Sequence, residues 1–477
     1  MPFIYGNRRQ ALLFPPYLED YISADDPVRV YDAFVEQLAF ASLGISLATD
    51  QVGAPPYDPK AMLKLLVYGY AYGIRSSRKL EQAVHHNLSF IWLVGGLKPD
   101  FKTIAEFRRG HREALADILG QCVRVCLKLN LIAGNTLFVD GTKISANASR
   151  HKNLSAEKAA QLLAGAEARI QAILAEAEAC DQAEADQESL VHLPEELRQA
   201  KSRQAKMQAV IKELEAQGEK SLNLTDRDCR MMTTRRGTVT GYNLQAVVDD
   251  QNGLLVHTEV VDAATDRGQF VPQIEAAHEA LGGKCKTACG DSGYADTSAL
   301  KTLEDQGITV IVPSQEQARH RPQENPFGKD KFVYDGKREG YICPQGHFLR
   351  YRKTDRKLRQ ITYQITSAVL CRECPHFGVC TQSEQGRSIV RLVDEATKEV
   401  LAARFASAEG QAVYQRRQAR VEHPFGHLKQ DLGMRTFLLR GLKGVAAEAG
   451  LWAVGFNLKR MITLVGTPEL LRAWQPA

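Results

Sequence analysis

Three acidic residues, Asp140, Asp291 and Glu422, stand in surroundings that could do chemistry. Asp140 lies in LFVDGTKISANAS (137–149), where three apolar residues lead into a carboxylate followed by Gly141. A buried carboxylate is costly unless it is paired or holds a metal, so a strand ending on Asp140 predicts either a turn cap or part of a larger site. Asp291 lies in ACGDSGYAD (288–296), again behind a short apolar run and between glycines. Glu422 lies in YQRRQARVEHPFGHLKQDLG (414–433), which begins helically. Magnesium takes carboxylate oxygens, and two such ions roughly 4 Å apart activate the attacking oxygen and neutralise the leaving one in a phosphodiester displacement. Singly, each aspartate reads as a cap; the set favours a metal site, with Asp140 bridging and Asp291 and Glu422 as outer ligands.

Elements must bring these residues together. Residues 1–130 read as helices: Asp26-Pro27 and Asp58-Pro59 set a capping carboxylate before a proline, and TIAE (103–106) reads as a capping box. Lys64, Arg75, Arg78, Lys79, Arg108, Arg109 and Arg112 on short helices suit a helix-turn-helix DNA reader or, equally, a bundle with solvated charges. The pattern changes to strand over 131–153. Residues 154–222 form a predicted helical hairpin, with Leu163, Ile170 and Leu174 at seam spacing against Met207, Ile211 and Leu214. Sheet periodicity resumes at 238, with Asn252-Gly253 as a hairpin turn, then helix 267–281, strand 286–291, helix 295–305 and strand 308–313. Three strands, helix, strand, helix, strand is the order of a ribonuclease-H-like core. The fold class is thus an α/β ribonuclease-H-like core (131–153 and 223–314), a helical N-terminal domain (1–130), an inserted helical hairpin (154–222), an insertion over 315–400, and C-terminal core helices (401–477) bearing Glu422. Pro424 should kink or end the Glu422 helix, which argues against a zinc pair at His423 and His427. Asp226, Asp228 and Arg230 read as a turn network.

The 315–400 insertion carries Cys343, Cys371, Cys374 and Cys380 in the spacing C-x27-C-x2-C-x5-C. In a reducing compartment this predicts a structural zinc ion, with His347 or His376 able to replace a thiolate, or else persistent free thiols. Lys353, Arg356, Lys357 and Arg359 suit DNA contact or a solvated loop.

The sequence resembles the bacterial insertion-sequence transposases of the DDE type, in the branch with a Y-R-E-K signature. LFVDGTKISANAS, DRDCRMM with GYNLQAVVD, ACGDSGYAD and YQRRQARVEHPFGHLKQDLGMRTFLLRGL (414–442) carry the resemblance. It implies Asp140, Asp291 and Glu422 as the catalytic, metal-binding triad, with Mg2+ (or Mn2+ in its place). It implies Tyr414, Arg417 and Lys429 as the accompanying DNA-binding residues. Arg417 stands one residue farther from Glu422 than the signature asks, so Arg416 or Arg420 are alternatives. The implied activity is binding of terminal inverted repeats, strand cleavage and strand transfer on double-stranded DNA, by a homodimer or higher multimer.

Two other readings compete. A non-catalytic, transposase-derived DNA-binding regulator would keep the fold without the reaction. A haloacid-dehalogenase-like phosphatase is suggested by FVDGT, but position 138, where its nucleophilic aspartate belongs, is Phe138. With 44% hydrophobic and 25% charged residues in 477, the chain has an ordinary globular composition, and a net charge of +5 by itself argues weakly for nucleic acid. No window holds the roughly 18 apolar residues of a membrane span and the start lacks a signal-peptide core. The expected location is the bacterial cytoplasm, associated with the nucleoid, with ten reduced cysteines.

Overall fold

The computed structural model describes residues 17–48, 55–183, 193–234, 237–318 and 326–474. The fold is mixed α/β and divides into two compact units: Met1–Asp266 with Gln273–Lys284 and Ala419–Ala477, and Arg267–Pro272 with Cys285–Gln418.

The first unit begins with helices α1 (Val28–Glu36), α2 (Pro59–Ala71), α3 (Ser77–His86), α4 (Leu88–Leu93), α5 (Phe101–Gly110) and α6 (Arg112–Lys128). Asp58 caps α2 by accepting the Lys60 N–H at 3.0 Å, as its Asp-Pro pair predicts; Asp26 accepts the Val28 N–H at 2.8 Å, but Pro27 stands at the cap position of α1 rather than at its first helical position. The TIAE box does not form. Asp100 caps α5, accepting the Thr103 N–H at 2.7 Å, which places Thr103 inside the helix; an aspartate upstream offered the better acceptor.

Strand β1 (Thr136–Ser145) follows, then β2 (Asn153–Ser155), the long helices α7 (Ala156–Ala183) and α8 (Leu193–Gln217), β3 (Ser221–Asn223), β4 (Arg230–Thr234), β5 (Gly237–Asp249) and β6 (Leu255–Val261). The α7/α8 seam buries Ala159, Ile170, Ile173, Met207, Val210 and Leu214. Leu174, expected in that seam, is exposed and Ile173 takes its place, because the seam on α7 also uses Ala166 and follows a wider helical face than a strict heptad. β5 pairs antiparallel with β1, β4 and β6. The Asn252-Gly253 turn is present, with Gly253 in the left-handed region at φ 69°.

Helix α9 (Phe270–Leu281) bridges the two units in sequence. The second unit then holds β7 (Thr287–Cys289), α10 (Thr297–Asp305) and β8 (Thr309–Ile311), with β7 and β8 parallel. The cysteine-bearing stretch is built on a five-stranded antiparallel sheet: β9 (Val333–Asp335), β10 (Gly340–Ile342), β11 (Phe348–Asp355), β12 (Gln360–Ile365) and β13 (Ser388–Leu392), with α11 (Ala368–Arg372) between the last two. Its core is Phe332, Tyr341, Leu349, Tyr363, Ile365 and Ile389. Helices α12 (Glu395–Ala406) and α13 (Ala408–Gly426) follow, and α14 (Leu442–Val465) and α15 (Thr467–Trp474) return to the first unit.

Helix α14 is the buried axis of the first unit. A Cβ at Gly450 would lie 2.2 Å from the Leu115 carbonyl, so only glycine allows α14 to approach α6 this closely. Asn457, wholly buried, accepts the Leu255 N–H at 2.9 Å and donates to the Leu255 carbonyl at 2.8 Å, locking α14 to β6. Glu448, equally buried, accepts the Leu438 and Leu439 N–H groups at 2.7 and 2.9 Å and the Tyr70 hydroxyl at 3.1 Å, with Arg75 at 3.7 Å. Asn457 and Glu448 thereby have the hydrogen-bond partners that burial of a polar side chain demands.

Candidate active site

Asp140 does not end its strand. β1 runs on to Ser145, with Asp140 paired opposite Ala246 and Gly141 opposite Gln245. The expectation that Gly141 turns the chain away fails for a physical reason: the hydrogen-bonded ladder with the long β5 continues across it. Alternation puts Asp140, Thr142 and Ile144 on one face and Gly141 and Lys143 on the other. Asp140 is half-buried, and its Oδ1 accepts the Gly141 N–H at 2.9 Å.

Gly141 has another task. A Cβ there would lie 2.4 Å from Gln245 Nε2 and 2.7 Å from Asp266 Oδ1. Asp266 Oδ1 accepts from Asn243 Nδ2 at 2.7 Å and from Gln245 Nε2 at 2.9 Å, so two buried amides hold a carboxylate against the bare backbone beside Asp140. The sequence reading missed this group. Its signal is two amide side chains at i, i+2 in GYNLQAVVD, an otherwise apolar strand.

The Glu422 segment reaches β1 from the other side of the sequence. Pro424 neither ends nor breaks α13, which runs to Gly426 and passes into a π-turn over His427–Asp431. Beyond Pro424, Lys429 Nζ donates to the Thr142 hydroxyl, on the Asp140 face of β1. The chain then pairs with the end of β1: Ser145 N–H to the Arg435 carbonyl at 3.1 Å, and Phe437 N–H to the Ser145 carbonyl at 2.9 Å. Glu422 itself is exposed. The His423 ring lies tilted against Phe456 and the His427 ring meets it edge-on, centroids 5.5 and 5.4 Å apart, and burial lowers the pKa of each.

In the second unit Asp291 is both a cap and an ion-pair partner. Its Oδ1 accepts the Gly293 N–H at 2.8 Å, and Arg417 Nη2 lies 3.9 Å from its Oδ2. The Arg417 side chain is only 9% exposed and lies over the Tyr414 ring, 5.7 Å from its centroid, while Tyr414 meets Phe405 edge-on at 5.0 Å. Arg416 is exposed. Arg420, in the first unit, donates to the Gln251 carbonyl at 3.2 Å and lies 3.7 Å from Asp250. Of the three arginines, Arg417 is the one beside Asp291.

Asp226, buried, accepts the Tyr242 hydroxyl at 2.7 Å and the Gly441 N–H at 3.1 Å, and Asp228 accepts the Leu442 N–H at 2.8 Å. Burial first, and the bond to Asp226 second, push the Tyr242 hydroxyl far above its ordinary pKa. This network anchors the start of α14. The N-terminal cations divide. Lys64 pairs with Asp32 and Glu36, Arg75 serves Glu448, and buried Arg108 donates to the Arg75 carbonyl at 2.9 Å and to Ser77. These three hold the helices together and are withdrawn as DNA readers; Arg78, Lys79 and Arg109 are exposed. Phe138, at the phosphatase nucleophile position, is wholly buried in β1. No described helix is long and apolar enough to cross a membrane. Among the described residues, no three His, Cys, Asp or Glu side chains are already gathered as a group able to hold a metal ion.

Residues 16–110 match the family described as Transposase domain (DUF772), and residues 342–462 match the family described as Transposase DDE domain. Both matches are to transposase domains, and together they indicate an insertion-sequence DDE transposase. The DDE match contains Glu422, Lys429 and the four clustered cysteines; Asp140 and Asp291 lie outside it. A piggyBac transposase, solved by cryo-EM as a synaptic complex with hairpin DNA, is similar at 9% identity over 94% of this chain and 79% of that one. Its TM-score of 0.31 carries no argument about fold. No curated protein matches the sequence.

Proposed function

We propose that this DDE transposase binds the terminal inverted repeats of its own element, cleaves DNA strands there and joins the freed 3′ hydroxyl to target DNA. The observation that carries the reading is the tie between Lys429 and Thr142, which fixes the segment following Glu422 on the Asp140 face of β1. In this reading the catalytic core is ribonuclease-H-like and comprises 131–153, 223–314 and 401–477, interrupted by 154–222 and 315–400, and residues 1–130 bind DNA. A homodimer or higher multimer acts on paired ends.

Asp140, Asp291 and Glu422 supply hard carboxylate oxygens, the donor chemistry that Mg2+ takes, and would hold it. An ion held there would supply stabilisation of charge developing on the phosphodiester oxygens. The protein's own cations have separate work. Lys429, positioned by Thr142, offers an ammonium to a backbone phosphate, and Arg417, stiffened by Tyr414, offers a planar guanidinium to another. Arg78, Lys79 and Arg109 give the N-terminal helices an exposed positive surface for the repeat.

The test uses the DNA flanking the coding region, incubated with Mg2+ and either wild type or Glu422→Gln. Specific 3′ nicks at paired inverted repeats, absent with the variant, are expected. Binding without cleavage by either protein would support the regulator instead. Equal cleavage by both would remove Glu422 from the site.

A further inference from the structure

We infer that the four clustered cysteines form a structural zinc site that closes the β9–β13 lobe, with Cys343, Cys371, Cys374 and Cys380 as ligands and neither histidine among them. The inference is independent of the proposed reaction. Residues distant in sequence converge: one small cavity of ≈ 30 Å³ is lined by all four cysteines together with His347 and His376. All four are free thiols and half-buried.

Both arms carrying the thiols have backbone groups aimed at sulfur. After β10, the turn CPQGH folds back so that Gly346 N–H reaches the Cys343 carbonyl at 2.8 Å and His347 N–H reaches Cys343 Sγ at 3.3 Å. On the other arm, Arg387 N–H reaches Cys371 Sγ at 3.4 Å. A neutral thiol is a weak acceptor and a thiolate a good one, and N–H groups directed at sulfur orient and stabilise metal-bound thiolates. Cys371 and Cys374 bracket the end of α11, with Cys374 N–H bonded to the Cys371 carbonyl at 3.2 Å, a local turn that puts both residues of the C-x2-C pair in the lining of the same cavity. Arg387 also donates to the Cys380 carbonyl at 2.8 Å and to the Phe327 carbonyl at 2.8 Å, setting a positive charge beside a centre that four thiolates would make net negative.

Four thiolates already complete a tetrahedral zinc set, and the histidines flank it. The His376 ring lies tilted against Phe327, centroids 4.9 Å apart. His347 contributes its backbone, by N–H to Cys343 Sγ and by its carbonyl to Cys343 N–H at 2.9 Å. As they stand, the thiols share the cavity without forming a closed group; zinc–sulfur bonds of about 2.3 Å need the side chains to turn inward. Cys343, Cys371 and Cys380 also pack against the aromatic core of the sheet, so an ion here would join the β10 turn to the 371–380 loop in a lobe whose core is small.

The test is the metal content of the full-length protein, purified anaerobically without chelator and dialysed, read by mass spectrometry, with alkylation mapping of its thiols. Wild type should carry about one zinc per chain, with these four cysteines shielded from iodoacetamide until a chelator is added. Cys371→Ser and Cys374→Ser should lose the metal, and His347→Ala and His376→Ala should keep it. The alkylation map on wild type holds even where a serine variant does not fold. Zinc-free wild type, or four cysteines equally reactive with and without chelator, overturns the site. Zinc lost from either histidine variant overturns the all-cysteine ligand set.

Discussion

The Arg417 guanidinium lies 3.9 Å from the Asp291 carboxylate and over the Tyr414 ring. The side chain is buried, while Asp291 is 41% exposed. A cation held this way is preorganised on its inner side and reaches a half-open carboxylate on its outer side. Arg417→Ala should therefore lower strand cleavage by on the order of 10²-fold, the usual cost of removing one fixed electrostatic donor. Arg417→Lys should recover little, because an ammonium lacks the planar fork and the ring contact. Steady-state cleavage of end-containing DNA measures both; full activity in the alanine variant would show the pair to be structural.

Gly141 leaves no room for a side chain. A Cβ would press on Gln245 Nε2 and Asp266 Oδ1 at 2.4 and 2.7 Å. Gly141→Ala should cost about 1–3 kcal/mol, as overpacking of a filled interior does, and should displace the strand that carries Asp140. Urea midpoints give the first quantity, and cleavage normalised to the folded fraction gives the second. A variant with wild-type values for both would mean that the amide cluster yields without effect.

Glu448 accepts two backbone N–H groups and the Tyr70 hydroxyl in a wholly buried setting. Burial, reinforced by Glu448, drives the Tyr70 hydroxyl far above its ordinary pKa, so Tyr70 stays a donor. Glu448→Ala leaves these donors without their acceptor and Arg75 without its ion-pair partner, and should cost about 3–5 kcal/mol. Glu448→Gln, which keeps an oxygen acceptor, should cost less. Equal losses in the two variants would assign the effect to packing.

Acid should weaken the first unit through its histidines. Burial lowers the pKa of His257, His423 and His427, and His257 Nε2 finds no hydrogen-bond partner among the described residues. A group whose folded pKa is depressed in this way binds protons more readily when unfolded. Stability is then full above the unfolded value of about 6.5 and falls as pH drops through it toward the folded value. Urea midpoints at several pH values between neutrality and mild acid should decline, and His257→Gln should flatten the decline. A pH-independent midpoint would contradict the burial argument.

Much of this protein was legible in one sequence. The Asn252-Gly253 hairpin, the strand and helix order from β5 to β8 and the Asp58 cap follow from local rules, because turn chemistry, capping oxygens and period-two apolar runs act over a few residues. The cysteine spacing was visible for the same reason, as was the set of acidic positions. Other features were misread where a local rule met a distant partner. Asp140 looked like a strand end because charge follows an apolar run, yet pairing with β5 carries the strand past it. Pro424 offered a kink or an end to the helix, and of the two the end does not occur: α13 runs on to Gly426.

Only the tertiary structure decided which side chains stand together. That Lys429 meets Thr142, that Arg417 rather than Arg416 or Arg420 faces Asp291, and that Arg108 and Glu448 are interior fixtures depend on contacts between residues far apart in the chain. The grip of Asn243 and Gln245 on Asp266 has the same origin: the sequence shows two amides in a strand, and the fold alone supplies the carboxylate they hold. Residue types and short spacings determine what chemistry is available; packing across long sequence separations determines where it is assembled, since burial and hydrogen-bond partners are properties of the folded chain.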